Sequence, residues 1–385
     1  MNLTLTEAKN KYWFEVDHEH LTVCIRGYKG DTERLEIPSK IGKYTVDSLA
    51  QKDSLQYSYK AKHIVVPETV KRINDAFAGC AFLESVNIPE GVESIDRFAF
   101  SGCKSLKSIT IPKSVTHIGN SAFEYCTNLE GINIPESVEC VDTGAFGHCE
   151  SLKTITIPKS VKSIGDYAFY NCISLESVNM PESIASIGTS AFGKTKWLKN
   201  KQSENSLVIV NGILIDGYNC TGDITIPEGV TSIADNAFIW CKNLTSVTMP
   251  NSIIRIGKEA FKGCDSLERI KIPKSVTSIG DAAFLETKWL DDKRAKGSLV
   301  IINNILIDGR SCVGDVVIPD GVESINDYAF LGCSDIRSIT IPCSVKKIAK
   351  MSFLGCSGLE CIVIPENSAN ALEFVYPAQA ELKFA

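Results

Sequence analysis

The chain has 385 residues, of which 40 are basic and 46 acidic, so its formal net charge is −6. This mild acidity argues against a general nucleic-acid-binding protein, which should carry a basic excess or patch. Apolar residues make up 44% of the chain, which is enough for a substantial core and too many for a disordered protein. The sequence contains no run of about 18 apolar residues, so we expect no membrane insertion.

Residues 1–63 precede the regular part of the sequence and are expected to form an N-terminal cap together with a first coil. The first nine residues lack a basic start followed by an apolar stretch, so the sequence as given predicts no secretory signal. Trp13, Phe14 and Val16 supply the apolar side chains that such a cap needs in order to cover a core.

From residue 64 to residue 365 the sequence repeats with a period of 23 residues. Prolines mark the period: the spacing is 23 from Pro89 to Pro181, and two later gaps of 46 residues equal two periods. One unit runs from Leu106 to Cys126. Within it, Ile109 and Ile111 predict a short strand with both side chains inward, which Pro112 ends because it cannot donate a ladder hydrogen bond.

The second half of each unit supplies a turn and a large apolar residue. Gly119 is expected to permit a turn that other residues resist. Eleven phenylalanines, from Phe77 to Phe353, occupy the same place after it. One coil cannot bury the inward residues of its own unit, whereas stacked coils can. The sequence therefore predicts a β-rich repeat solenoid of about fourteen or fifteen coils, with short parallel strands, 3-10 or helical turns and one continuous core.

Nine of the fifteen cysteines recur three residues after these phenylalanines. They are Cys80, Cys103, Cys126, Cys149, Cys172, Cys241, Cys264, Cys333 and Cys356. Equivalent positions in stacked coils point the same way, and parallel Cβ directions do not suit a disulfide. We interpret them as buried thiols that act as small hydrophobes. A metal-binding ladder is the alternative, but there is no Cys-x-x-Cys and the five histidines lack ligand spacing.

The motif Leu-x-x-Ile-x-Ile-Pro-x-x-Val-x-x-Ile-Gly-x-x-Ala-Phe-x-x-Cys resembles the BspA-like leucine-rich repeat family. It covers roughly residues 64–365, and residues 21–38 are similar to the segment that precedes the repeats in that family. The resemblance implies a curved, right-handed solenoid with a parallel sheet along it. It also implies a binding or adhesive role, often at a bacterial cell surface.

Two divergent coils, near 195–226 and 287–318, lie 92 residues apart, which is four periods. Asn-Gly at 211–212 and Asn-Asn at 303–304 predict two inserted hairpins near 207–215 and 299–307. Residues 194–202 and 291–296 are expected to be polar loops. Thr195 and Thr287 replace the ladder cysteine. Trp197 and Trp289 are interpreted mainly as core plugs and alternatively as exposed anchors for a ligand.

Residues 366–385 lie beyond the repeats and are expected to form a C-terminal cap. Phe374, Tyr376 and Phe384 would cover the last coil.

Outward positions of the first half alternate in charge from coil to coil. Five residues before each proline stand Glu84, Lys107, Glu130, Lys153 and Glu176. Opposite charges should therefore lie side by side on adjacent coils and favour the correct register. The simpler interpretation is a solvated surface whose charges are balanced for the stacking of coils. The alternation breaks from about Gly222 onward. We expect specific contacts with a protein partner there, at Thr245, Glu268 and Arg337, with Trp197, Trp240 and Trp289 as candidate anchors.

The sequence contains no motif that predicts catalysis, a cofactor or a metal site. We expect a monomeric, non-catalytic protein that recognises a protein partner, such as a host or matrix protein. An intracellular scaffold or recognition subunit is the alternative: the resemblance favours the cell surface and the missing signal favours the cytoplasm. A carbohydrate-active protein would need an aromatic platform, for which Trp197, Trp240 and Trp289 are the candidates.

Overall fold

A computed structural model describes residues 2–50, 60–365 and 376–384. The chain is a β-solenoid of about 15 turns, as the sequence predicted. It divides into two compact units, Met1–Glu204 and Asn205–Ala385. None of the helices in the described ranges is long and apolar enough to cross a membrane.

Each regular coil contains two short strands, which we call the pre-proline and the post-proline strand. In one coil these are Ser108–Thr110 and His117–Ile118, on either side of Pro112. Ile109 and Ile111 are both buried, which confirms the predicted inward pair. Equivalent strands of neighbouring coils pair in parallel with a shift of 23 residues, so that Ile95, Ile118 and Val141 lie side by side.

The first unit contains two rows of parallel strands. The pre-proline strands are Arg34–Glu36, His63–Val65, Ser85–Asn87, Ser108–Thr110, Gly131–Asn133, Thr154–Thr156 and Ser177–Asn179. The post-proline strands are Tyr44–Ala50, Arg72–Asn74, Ser94–Ile95, His117–Ile118, Cys140–Val141, Ser163–Ile164 and Ser186–Ile187.

The N-terminal segment joins the edge of the post-proline sheet. Helix α1 (Leu5–Lys11) starts at a capping box between Thr4 and Glu7. The strands Tyr12–Asp17 and Thr22–Tyr28 form an antiparallel pair, and the second of them pairs in parallel with Tyr44–Ala50. Asn2–Leu3 pairs with Lys40–Ile41, which in turn pairs antiparallel with Tyr44–Ala50. Trp13, Phe14 and Val16 are half-buried in this segment.

The second unit repeats the two rows. Its pre-proline strands are Gly222–Thr225, Leu244–Thr248, Arg269–Lys271, Gly314–Val317, Ile336–Thr340 and Cys361–Ile364. Its post-proline strands are Ser232–Ile233, Arg255–Ile256, Ser278–Ile279, Ser324–Ile325 and Lys347–Ile348. Glu381–Phe384 pairs in parallel with Cys361–Ile364. Ala380 and Leu382 of this end segment pack against the core, whereas Phe384 is 51% and Tyr376 36% exposed. Phe374 lies outside the described residues.

Both predicted hairpins are confirmed. Val208–Val210 pairs antiparallel with Ile213–Asp216, and Val300–Ile302 with Ile305–Asp308. Both residues of each turn have positive φ, as a type I′ turn requires. The second strand of each hairpin then starts a parallel row, since Leu214 pairs with Ile233 and Leu306 with Ile325.

The predicted polar loops before the hairpins are wrong. Helices form there instead: α2 (Lys196–Glu204) in the first unit and α3 (Lys288–Lys296) in the second. The replaced ladder cysteine explains why. The Thr287 hydroxyl accepts a hydrogen bond from Leu290 N at 3.2 Å and donates to Phe284 O at 2.7 Å, so it caps α3. Thr195 makes the same two contacts for α2.

The interior of each unit is built from columns of identical side chains. Phe77, Phe100, Phe123, Phe146, Phe169 and Phe192 stack with centroids 5.2 to 5.4 Å apart. The role predicted for Gly119 is wrong. Its φ is not positive, and a Cβ there would lie 2.8 Å from Arg97 N in the preceding coil, so this glycine allows two coils to approach closely.

The cysteine ladder is buried, as predicted, and all fifteen cysteines are free. From Cys103 onward, each ladder thiol also donates a hydrogen bond to the preceding coil: Cys126 Sγ lies 3.2 Å from Phe100 O, and Cys149 Sγ lies 3.2 Å from Phe123 O. Burial raises the pKa of the Cys80 and Cys126 thiols to about 12. The ladder therefore ties coils together through neutral thiols.

Candidate binding surface

The alternating charges of the first unit are lateral neighbours without direct ion pairs. The backbone brings them side by side, since Glu130 N donates to Lys107 O at 2.9 Å and Glu176 N to Lys153 O at 2.9 Å. In the described part of the chain, no side-chain ion pair joins Lys107, Glu130 and Lys153. This surface is solvated and repetitive.

The pre-proline surface of the second unit carries a connected polar network instead. Thr245 Oγ1 donates to Asp223 Oδ1 at 2.6 Å. Arg269 reaches the same carboxylate from two coils away, with Nη2 3.2 Å from both oxygens. These hydrogen bonds, with that of Thr245 the largest, lower the pKa of Asp223. The network fixes the orientation of exposed side chains across three coils.

Glu268 links this network to helix α3. Its Oε1 lies 2.6 Å from Lys288 Nζ, and its Oε2 lies 4.0 Å from Arg269 Nη1. The hydrogen bond from Lys288 lowers the pKa of Glu268. The structure therefore brings together Thr245 and Glu268, two of the residues predicted to contact a partner.

A groove of about 340 Å³ lies between these strands and α3. Its lining residues are Ser246, Val247, Thr248, Glu268, Arg269, Ile270, Lys271, Trp289, Asp292, Lys293 and Lys296. Lys293 Nζ stands 5.6 Å from the centroid of Trp289. Lys271 and Lys296 form no ion pair with other described residues. Arg269 and Glu268 are paired within the network. Of the other charged lining residues, three are lysines and one is Asp292, so the net charge left in this groove is basic. We call it the α3 groove.

The equivalent surface of the first unit lacks this charge, although its backbone elements correspond. Moving back 92 residues replaces Arg269, Lys271 and Lys296 by Ser177, Asn179 and Glu204. Lys201, the counterpart of Lys293, pairs with Glu204 at 3.0 Å. The fold alone therefore does not require the basic character of the α3 groove.

The remaining predicted site residues are dispersed. Arg337 pairs with Asp315, which also accepts a 2.7 Å hydrogen bond from Ser338, in the later coils of the second unit. Trp240 is 46% exposed, in the turn after Phe238. The interpretation of Trp197 and Trp289 as exposed anchors is wrong, because they are only 8% and 6% exposed and end the phenylalanine stacks. The three tryptophans therefore do not form an exposed aromatic platform.

Sequence reasoning missed a second group of surface positions, each directly before a ladder cysteine or the threonine that replaces it. These positions have positive φ in all eleven coils that carry a ladder phenylalanine. Glycine occupies five of them: Gly79, Gly102, Gly263, Gly332 and Gly355. Side chains occupy the other six: Tyr125, His148, Asn171, Lys194, Trp240 and Glu286. The sequence already held a signal for these positions. Glycine precedes the ladder residue in some copies of the repeat, and a residue with a side chain takes its place in the others.

Comparison with known proteins identifies the repeat. A family profile described as a BspA-type leucine-rich repeat region of six copies matches residues 50–173, 127–215, 208–306 and 301–383. No curated protein matches the chain. Among the described residues, no group of three or more potential metal ligands occurs.

Several solved structures are similar to the chain. A leucine-rich repeat protein from Bacteroides ovatus is 28% identical, covering 97% of this chain and 98% of that one, with a TM-score of 0.43. A leucine-rich cell surface protein from Faecalibacterium prausnitzii is 26% identical over 94% and 95% of the two chains, with a TM-score of 0.40. The pneumococcal vaccine antigen PcpA is 19% identical over 97% and 96%, with a TM-score of 0.43.

Proposed function

Since the chain belongs to the BspA-type leucine-rich repeat family, we propose that it is a non-catalytic binding protein that recognises an acidic segment of a protein partner through the α3 groove. Family membership favours protein binding or surface adhesion as the general role. The observation that carries the proposal is the difference between the two copies of one surface. Lys271, Lys293 and Lys296 make the second copy basic, whereas the first copy is close to neutral.

The groove chemistry supports recognition of acidic side chains. Lysines at its rim attract carboxylates and accelerate encounter with an acidic partner. The network of Asp223, Arg269 and Glu268 holds one wall in place before binding, which reduces the entropy lost on association. Exposed ion pairs contribute little to folding stability. Because folding does not depend on this arrangement, it is available for binding.

The test compares capture of proteins by the full chain and by a double variant, Lys271→Asn with Lys296→Glu, which copies the first unit. A matched control, Lys107→Asn with Lys153→Glu, makes the same charge change on the alternating surface. We expect a partner whose affinity falls roughly tenfold in the groove variant and less than about twofold in the control. We also expect added salt to weaken binding. Equal retention by the three chains, or the absence of any retained protein, would contradict the proposal.

A further inference from the structure

A cluster of four aromatic side chains, two of them exposed and two half-buried, lies on the first unit. It consists of Tyr125, His148, Tyr167 and Tyr170. The rings of Tyr125 and His148 stack with centroids 4.3 Å apart and an angle of 22°. Tyr170 lies 5.7 Å from His148 and 5.7 Å from Tyr167, both edge to face. The four rings therefore form one continuous surface across three coils.

Three of these four residues are held in a backbone conformation that disfavours them. Tyr125 has φ 60°, His148 φ 61° and Tyr167 φ 55°. The left-handed region is sterically unfavourable for an L residue with a side chain. Glycine fills the place of Tyr125 in five other coils, and serine fills the place of Tyr167 at Ser121 and Ser190. Phe98 and Tyr328 stand at the place of Tyr167 in two other coils, so an aromatic side chain is accepted there but is not required. Since the fold does not require these aromatic side chains, they are available for a role outside it.

One face of the Tyr125 ring is open. His148 covers the other face. The equivalent residues of the two preceding coils are Gly79 and Gly102, which carry no side chain at this position. Tyr125 accordingly remains 45% exposed. A ring-sized ligand could rest against Tyr125 with the backbone of Gly102 beneath it.

Polar groups with both donors and acceptors surround the rings. The hydroxyls of Tyr125, Tyr167 and Tyr170 make no hydrogen bond to other residues in the described ranges. The Asn171 amide nitrogen lies 3.2 Å from His148 Nδ1 and 3.5 Å from Glu150 Oε1. Lys194 Nζ stands 5.1 Å from the Tyr170 centroid. Lys194 and Glu150 carry opposite charges, so the cluster suits a neutral ligand.

We propose that the aromatic cluster binds a saccharide, with a pyranose ring against the open face of Tyr125. A sugar ring presents a face of weakly positive C–H groups, which complements the negative face of an aromatic ring. Its hydroxyls donate and accept hydrogen bonds, which matches the free tyrosine hydroxyls and the Asn171 amide oxygen. A nucleic acid would need several free cations, and among the described residues Lys194 is the one cation above a ring of the cluster. This site is independent of the α3 groove.

The test uses affinity electrophoresis of the full chain through gels that contain a β-glucan, a mannan, a galactan or a mucin-type glycan. The variant Tyr125→Gly with Tyr167→Ser copies residues that other coils use, so we expect it to fold. The matched control is Trp240→Gly, which removes another exposed aromatic residue from the same coil position. Melting curves of the three chains verify the fold.

We expect at least one polysaccharide to retard the wild-type chain and the control equally. The double variant should lose affinity roughly tenfold, as for the loss of a central aromatic contact. Retardation by none of the polysaccharides would overturn the proposal, as would equal retardation of the wild type and the double variant. Equal loss in the Trp240→Gly control would also overturn it. If the double variant loses only a protein ligand, the surface is a protein-binding site instead.

Discussion

The indole of Trp289 lies 4.8 Å from the ring of Phe284 and is tilted 54° against it. Trp197 and Phe192 show the same relationship in the first unit, at 4.8 Å and 55°. In both units the phenylalanines beneath are stacked nearly parallel, and the tryptophan at the start of the helix ends the stack. A helix that starts with a threonine cap and a tryptophan therefore closes one run of coils.

Replacing Trp289 by alanine should destabilise the second unit by about 3–5 kcal/mol, because the change opens a cavity above Phe284. Urea denaturation measures the loss. The control is Trp240→Ala, which removes a half-exposed ring and should cost less than about 1 kcal/mol. Similar losses in the two variants would show that Trp289 does not seal the core.

Thiol labelling should separate the ladder from the surface. Cys343 is exposed, whereas Cys103, Cys126 and Cys149 are fully buried. Alkylation of the native chain, followed by mass spectrometry, should modify Cys343 first and the ladder cysteines only after unfolding. Modification of Cys126 at the rate of Cys343 would contradict the buried ladder.

Stability should fall steeply at alkaline pH. An unfolded thiol ionises near pH 8.5, whereas burial raises the pKa of Cys80 and Cys126 to about 12. The folded chain therefore binds more protons than the unfolded chain between those values. Each such thiol lowers the free energy of unfolding by about 1.4 kcal/mol per pH unit in that range. Its stabilising contribution is fully present below the unfolded pKa. Denaturant titrations from pH 7 to 11 measure how the free energy of unfolding changes with pH. The Cys126→Ala variant should reduce this slope by the contribution of one thiol.

Gly332 offers a clean test of the left-handed position before the ladder cysteine. Its φ is 72°, and an added Cβ would meet no atom within 4 Å. Gly332→Ala should therefore cost about 1 kcal/mol through the backbone alone. Glu286→Gly, at the same coil position, should leave the melting temperature unchanged or raise it. Gly297→Ala is the control, since Gly297 has extended backbone at φ −174° and open space around it.

Arg294 binds the buried carboxylate of Asp308 with two hydrogen bonds, of 2.9 and 2.7 Å. Arg294→Gln copies the glutamine of the first unit, Gln202, and should destabilise the chain by about 2 kcal/mol because Asp308 loses its main partner. Arg310, 3.6 Å from Asp308, limits the loss. Arg337→Gln breaks an exposed pair with Asp315 and should cost less than about 1 kcal/mol in the same urea titration.

The core was predictable from the sequence because a period of 23 residues returns the same apolar side chain to the same place. The turns at Asn211 and Asn303 were predictable because few residues adopt positive φ there. Helix α2 was not, since only Trp197 and Leu198 are apolar among nine residues and the helix depends on its cap at Thr195.

The candidate surfaces were predictable only in part. The break in charge alternation drew attention to Thr245 and Glu268, which the structure places side by side on neighbouring coils. The bond from Arg269 to Asp223 could not be predicted, because it crosses two coils and depends on side-chain rotamers. The aromatic cluster was missed because its members occupy three places in the repeat: Tyr125 and His148 share one, and Tyr167 and Tyr170 each occupy another.

Amide hydrogen exchange tests the stacked 23-residue coil most directly. The amides of Phe123 and Phe146 donate to carbonyls of the following coil at 2.8 Å, at Ala145 and Ala168. We predict slow exchange at the ladder phenylalanines whose amides make this bond and fast exchange just after each proline, as at Lys113, with the pattern returning every 23 residues. Protection without that period, or Phe123 exchanging as fast as Lys113, would contradict the account.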